Sequence, residues 1–279
     1  VSASALTNPA STLRGSEAWG SSISTAGPLA GTGVLVTRPV EQATRQMARL
    51  QELGARPMLF PALAIVAPSQ PEQLHACLAR IDQYDWTLFV SPTSVQFGFA
   101  ALPADAAARI KVAAVGKGTA AALRAAGCRN VLAPETGADS EHLLALPEFG
   151  SNLAGQRVLI FRGEGGRELI ADTLRARGAE VDYAECYRRA CPQADPAPLL
   201  QAFAQRRIQA VTVFSGETLD NLLHLLGADG AKYVRALPLF VPHARIAQHA
   251  QVLNFAQAIT TAPGEDGMLA GLVEYFSHD

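Results

Sequence analysis

Val34-Leu35-Val36-Thr37-Arg38 decides how this chain is read, because it returns as Val158-Leu159-Ile160-Phe161-Arg162. Two further stretches recur at the same distance: Leu53-Gly54-Ala55 against Arg177-Gly178-Ala179, and Leu88-Phe89-Val90-Ser91 against Thr212-Val213-Phe214-Ser215. The offset is 124 each time (162 − 38, 178 − 54 and 215 − 91). One spacing shared by three separated motifs implies an internal duplication. Working outward, Val34–Thr37 is a short apolar run of strand type, and Glu41–Leu53 carries Ala43, Met47, Leu50 and Leu53 at helical spacing. Gly54 supplies the helix stop and Pro57–Phe60 resumes extended structure, which makes a βαβ unit. Trp86–Val90, Val112–Val115 and Val131–Leu132 read as later strands, with helices starting near Thr93, Lys117 and Asp139. Their counterparts in the second copy are Val211–Phe214, Leu239–Val241 and Ala258–Thr261. Repeated βα units predict the α/β class: two doubly wound parallel sheets, helices on both faces, and a ligand crevice at the carboxyl ends of the strands.

Composition narrows the function. A chain of 279 residues suggests two domains, and 49% hydrophobic against 17% charged residues suits packed cores. The net charge is −2 with no Lys/Arg block, so the expected partner is a small molecule and not nucleic acid. Every apolar run is broken before the ~18–20 residues that a membrane helix needs, so a cytoplasmic protein with no membrane segment is expected. Cys77, Cys128, Cys186 and Cys191 form no CxxC pair and no His flanks them at ligand spacing, which predicts reduced thiols and no metal. Residues 1–31 are rich in Ser, Ala, Thr and Gly, without a signal-peptide pattern, and are expected to be a flexible extension.

Several loops could hold an anion. Gly116-Lys117-Gly118-Thr119-Ala120-Ala121 follows a strand, opens a helix and fits G-x-G-x-x-A, with Glu135 downstream, so a nucleotide-dependent enzyme is one reading. Against it, two strands precede the loop in its copy, and the second copy has Val241-Pro242-His243-Ala244-Arg245 there. A glycine-rich helix N-terminus is also a general anion cradle. Gly163-Glu164-Gly165-Gly166-Arg167 offers backbone donors plus a guanidinium suited to a carboxylate. Ser91-Pro92-Thr93 and Ser215-Gly216-Glu217 are strand-to-helix turns in which the serine is a natural N-cap. No nucleophile elbow, P-loop or metal cluster occurs, so chemistry must come mainly from positioning.

Val36-Thr37-Arg38-Pro39, Phe89-Val90-Ser91-Pro92, Ala114-Val115-Gly116-Lys117-Gly118-Thr119-Ala120, Phe161-Arg162-Gly163-Glu164-Gly165-Gly166-Arg167-Glu168 and Glu185-Cys186-Tyr187-Arg188, in this order and spacing, resemble bacterial uroporphyrinogen-III synthases. The resemblance covers nearly everything after residue 32. It implies an enzyme of haem and other tetrapyrrole synthesis that closes the linear hydroxymethylbilane with inversion of its last pyrrole ring and loss of water, without metal or organic cofactor. Duplication alone places the lobes one after the other. The resemblance instead implies a discontinuous lobe of residues 32–64 plus 192–279 and a second of 70–186, with the site between them and a two-stranded crossover ribbon at about 62–69 and 185–191. It also implies Tyr187 as proton donor to the departing hydroxyl and Thr119 and Ser215 as hydroxyl contacts for substrate carboxylates. Beside these, Ser91 and Gly163 on their strand-end loops are candidate substrate contacts, and Arg38, Arg167 and Arg245 candidate cations for the acid groups, Arg245 standing where some relatives have Thr. The oligomeric state is left open, with a monomer as the working expectation. Two rivals remain: the nucleotide-dependent enzyme, and a two-lobed anion-binding protein without turnover.

Overall fold

The computed structural model describes residues 27–103, 105–137 and 139–277. Along the chain run β1 (Gly33–Val36), α1 (Val40–Glu52), β2 (Arg56–Leu59), β3 (Ala64–Val66), α2 (Pro71–Leu78), β4 (Trp86–Phe89) and α3 (Pro92–Ala101). Then come β5 (Val112–Ala114), α4 (Lys117–Ala125), β6 (Val131–Leu132), α5 (Ser140–Leu144), β7 (Arg157–Gly163), α6 (Leu169–Ala176) and β8 (Glu180–Ala190). The last third holds α7 (Ala197–Ala204), β9 (Ala210–Thr212), α8 (Gly216–Arg235), β10 (Pro238–Val241), α9 (Ala244–Val252), β11 (Gln257–Thr260) and α10 (Gly264–Phe276).

The chain divides into two compact units. One takes the described residues up to Ala64 together with those from Ala190 onward, and the other is Ile65–Arg189. The first is built on a sheet of order β11-β10-β9-β1-β2, the second on β3-β8-β7-β4-β5-β6. The chain passes between the units in β3 and at the end of β8, which are neighbours in the six-stranded sheet.

The duplication is visible in both sheets. β7, β8 and β9 begin 124 residues after β1, β2 and β4 (157 − 33, 180 − 56, 210 − 86), and β10 and β11 begin 126 after β5 and β6 (238 − 112, 257 − 131). Under this mapping β11-β10-β9-β1-β2 is the same order as β6-β5-β4-β7-β8. The register repeats as well: Val34 faces Pro57 and Ala210, and Val158 faces Val181 and Trp86. Each sheet therefore takes its βαβ unit from one copy and its other three repeat strands from the other copy.

Side-chain alternation explains the two helical layers. In β1, Val34 and Val36 enter one cluster with Ala43, Leu50 and Met268, while Leu35 enters another with Met58, Leu199 and Leu222. In β7, Leu159 and Phe161 pack with Phe89, and Val158 and Ile160 with Phe149 and Leu174. Successive residues of a strand point to opposite faces, so runs buried throughout need helices on both. Residues 27–31 depart from the expected flexible extension. They form a turn in which Leu29 is fully buried beside Val34 and Leu50 and donates its N–H to Leu53 O at 2.9 Å, because an apolar side chain there completes the face under α1. Residues 1–26 of that expectation lie outside the described residues. Among the described residues, no helix is long and apolar enough to cross a membrane.

Candidate active site

In the unit Ile65–Arg189, four of the expected site residues meet at the carboxyl ends of adjacent parallel strands. Ser91 follows β4, Thr119 lies in the first turn of α4 after β5, Gly163 closes β7, and Tyr187 lies on β8. Short loops from strand to helix put Ser91 and Thr119 there, as expected for ligand-binding edges of such sheets. Ser91 caps α3: its Oγ accepts from Ser94 N–H at 3.0 Å, while Ser94 Oγ accepts from Ser91 N–H at 3.1 Å. The Ser91 hydroxyl also lies 3.4 Å from the Tyr187 hydroxyl. The Tyr187 ring is 4% exposed and packs on Phe97 with centroids 5.7 Å apart.

Tyr187 owes its place to an irregularity in β8. Pairing with β7 runs in step from Arg157–Glu180 to Arg162–Glu185, then skips Cys186 so that Gly163 faces Tyr187. Such a bulge turns a side chain that regular alternation would place on the other face. The backbone on either side is pinned, with Glu164 N–H donating to Tyr187 O at 2.9 Å and Arg162 Nε donating to Gly163 O at 3.2 Å.

The loop after β7 rests on a residue that sequence reasoning quoted without assigning. Arg162 is 4% exposed, pairs with Glu168 at 2.9 Å and lies 4.5 Å from the centre of the Tyr183 ring. Tyr183 in turn donates to Glu168. Burial pushes the Tyr183 phenol up to about 12, aided by that bond, and the same two donors, Tyr183 first, hold the Glu168 carboxyl below its usual range. Glu164 accepts from the Ser69 backbone N–H and, at 2.8 Å, from the Ser69 hydroxyl, which ties this loop to the segment after β3. Arg167 is exposed on the same loop. The only signal for the Arg162 role was an arginine ending an otherwise apolar strand.

The other unit presents the repeat-related edge. Arg38 follows β1, Ser215 follows β9 and Arg245 lies in the first turn of α9 after β10, three neighbouring strands. Ser215 caps α8, its Oγ accepting from Thr218 N–H at 3.1 Å and lying 2.8 Å from Thr218 Oγ1. Arg38 is not free for a ligand in the way its position suggested. It pairs with Glu265 at 3.1 Å and stacks 4.6 Å from the centre of the Phe214 ring. Burial pushes its guanidinium below its ordinary value, with Glu265 acting in the opposite direction. Arg245 is exposed. The helices that follow β5 and β10, α4 and α9, have no side-chain cap at Gly116 and His243, whereas Ser91 and Ser215 cap the helices that follow β4 and β9. Uncapped helix starts leave backbone donors for anionic groups. Among the described residues, no group of three or more His, Cys, Asp or Glu is placed to hold a metal ion.

The sequence model described as Uroporphyrinogen-III synthase HemD matches residues 45–270. The chain belongs to this family. Among relatives of the uroporphyrinogen-III synthase family, the Uroporphyrinogen-III synthase of Escherichia coli (strain K12) is 38% identical over 196 residues, covering 69% of this chain and 79% of that protein. That of Synechococcus elongatus is 32% identical over 212 residues, covering 72% and 77%. Two solved structures share the fold: the uroporphyrinogen-III synthetase of Helicobacter pylori, with TM-score 0.56 at 12% identity over 88% of this chain and 99% of that one, and a mutant uroporphyrinogen III synthase of Thermus thermophilus, with TM-score 0.54 at 19% identity over 89% and 100%. Membership of the uroporphyrinogen-III synthase family displaces the nucleotide reading of the Gly116 loop.

Proposed function

We propose that this chain closes hydroxymethylbilane to uroporphyrinogen III with loss of water, in tetrapyrrole and haem synthesis, and that Tyr187 donates the proton to the departing hydroxyl. The observation that carries the reading is the Tyr187 hydroxyl beside Ser91 at the carboxyl ends of β8, β7, β4 and β5, in a chain of this family. A phenolic O–H is a donor at neutral pH, and a positioned acid assists departure of a hydroxyl that water alone protonates poorly. The Ser91 oxygen already accepts from Ser94, so its own proton is free to turn toward the Tyr187 oxygen as charge develops there.

The substrate is a polycarboxylate, and each unit offers donors of the right sign: the uncapped start of α4 with Thr119, and Arg167 on the loop after β7, in one; the uncapped start of α9 with Arg245 in the other. Ser215 adds a hydroxyl already engaged in capping, and Arg38 contributes a charge largely answered by Glu265. The work of such a site is to fold a flexible chain so that the substituted carbon of the terminal ring attacks first. The test is direct. Freshly made hydroxymethylbilane is supplied to the protein and the I and III isomers are separated. Formation of the III isomer well above the spontaneous I isomer is the expected result, and a mixture identical to the protein-free control overturns the reading.

A further inference from the structure

We infer that Gly163 is a positioning residue for Tyr187: the missing side chain at 163 is the seat of the Tyr187 ring and not a contact for substrate. The inference rests on the proton-donor reading of Tyr187 and deepens it. A methyl group at position 163 would stand 2.5 Å from Tyr187 Cε2, 2.6 Å from Cζ and 3.1 Å from Cδ2, on the edge of the ring that carries the hydroxyl. Contacts that short do not exist between unbonded carbons, so the ring or the strand must move.

Neither has room. The ring is 4% exposed, with Phe97 packed against it and Ser91 at its hydroxyl. The strand is held at Gly163 O by Arg162, itself buried and paired with Glu168, and at Glu164 N–H by the carbonyl of Tyr187. Backbone freedom is not what this glycine supplies. Gly165, two residues on, has φ at +70° and open space where a side chain would be, whereas Gly163 lies outside the left-handed region and has a crowded one. Nor does the fold demand the pair: 124 residues earlier the first copy has Pro39 and Leu63 at these places. Glycine and tyrosine thus occur together at one of two equivalent edges, where the bulge turns Tyr187 toward β7.

The experiment is a double-mutant cycle of Gly163→Ala and Tyr187→Ala, with Tyr187→Phe alongside, reading kcat and KM for the III isomer and the thermal midpoint. Gly163→Ala is expected to lower kcat at least tenfold with KM within twofold of the parent, and to lower the midpoint. In the Tyr187→Ala background the same substitution should change neither, because the ring it strikes is gone. Should Gly163→Ala alone fail to fold, a cooperative transition recovered in the double variant supports the seat, and failure of both overturns it. A rise in KM that is equal in both backgrounds would make Gly163 a substrate contact and end the proposal, as would a Gly163→Ala protein with parental kcat and midpoint. Parental activity in Tyr187→Phe would sink the proton-donor reading separately, since the cycle on the thermal midpoint still reports whether the ring sits on Gly163.

Discussion

Replacing Tyr187 by Phe removes one oxygen and leaves the ring on Phe97 and Gly163. The stability lost is bounded by the single contact broken, a hydroxyl pair at 3.4 Å, longer than the ~2.7–2.8 Å of a good O–H···O bond. A neutral hydrogen bond contributes about 0.5–1.5 kcal/mol, and at this length the lower end applies, a shift of roughly 1–2 °C in the thermal midpoint. Ser91 keeps its cap to Ser94, so α3 is unaffected. The rate should respond on another scale. General acid assistance is worth ~10²–10⁴, or about 3–5 kcal/mol in the barrier at ~1.36 kcal/mol per decade. The assay follows initial III-isomer formation from fresh hydroxymethylbilane, with the I isomer of a protein-free control subtracted, because spontaneous loss of water from the substrate masks part of the effect. A Phe variant within threefold of the parent would refute the reasoning and leave Tyr187 as a packing residue.

Gly98 in α3 should not tolerate alanine, although alanine there gains roughly 1 kcal/mol of helix propensity. The added methyl would lie 2.6 Å from Phe161 Cδ1, and Phe161 is stacked on Phe89 at 4.4 Å, so overpacking of ~1–3 kcal/mol should win; a raised urea midpoint would refute this. Glu164 is held below the usual carboxylate range, first by the Ser69 backbone N–H. Its contribution is therefore present above the unfolded value of ~4.3 and lost as pH falls through the lower folded value, so the gap in thermal midpoint between parent and Glu164→Gln should be open at pH 7 and close below about pH 4. A gap independent of pH would refute it. Burial pushes the Cys186 thiol up to about 12 while Cys191 is exposed, so limiting thiol reagent at pH 8 should mark Cys191 in the native protein and reach Cys186 only in denaturant, as peptide mapping would show.

Elements with a local signal were legible. β1 was expected at Val34–Thr37 and occupies Gly33–Val36, and α4 begins at Lys117 where the helix start was read. Periodicity and stop signals act over a few residues, which is also the reach of the interactions that set these bounds. The neighbours of β1 were not legible in the same way: β9, its partner on one side, faces Val34 with Ala210, and no local pattern selects it over any other apolar strand. The candidate site divides similarly. Serines at strand-to-helix turns declared their capping role, but the meeting of Ser91 with Tyr187 spans 96 positions, and that of Arg38 with Glu265 spans 227. A lone arginine in sequence reads as a cation for a ligand, and only its distant carboxylate shows that it is answered within the chain. Leu29 misled for the opposite reason, one buried apolar residue after a long polar stretch being too little to register as a pattern.

The exchange of strands between copies fixes a schedule for the nascent polypeptide. By the time Arg189 has left the ribosome, every strand of the Ile65–Arg189 unit exists, whereas β1 and β2 have been waiting since residue 59 for a third strand. From the last residue of β1 to that of β9 is 176 residues (212 − 36), which at ~5–20 residues per second is roughly 10–35 s. Through that interval Val34, Leu35 and Val36, all fully covered in the finished protein, can bury at most one side of their strand. β1, made well before its second neighbour, is thus among the last strands to be sheltered, and it is a segment on which a chaperone, or another unfinished chain, would act.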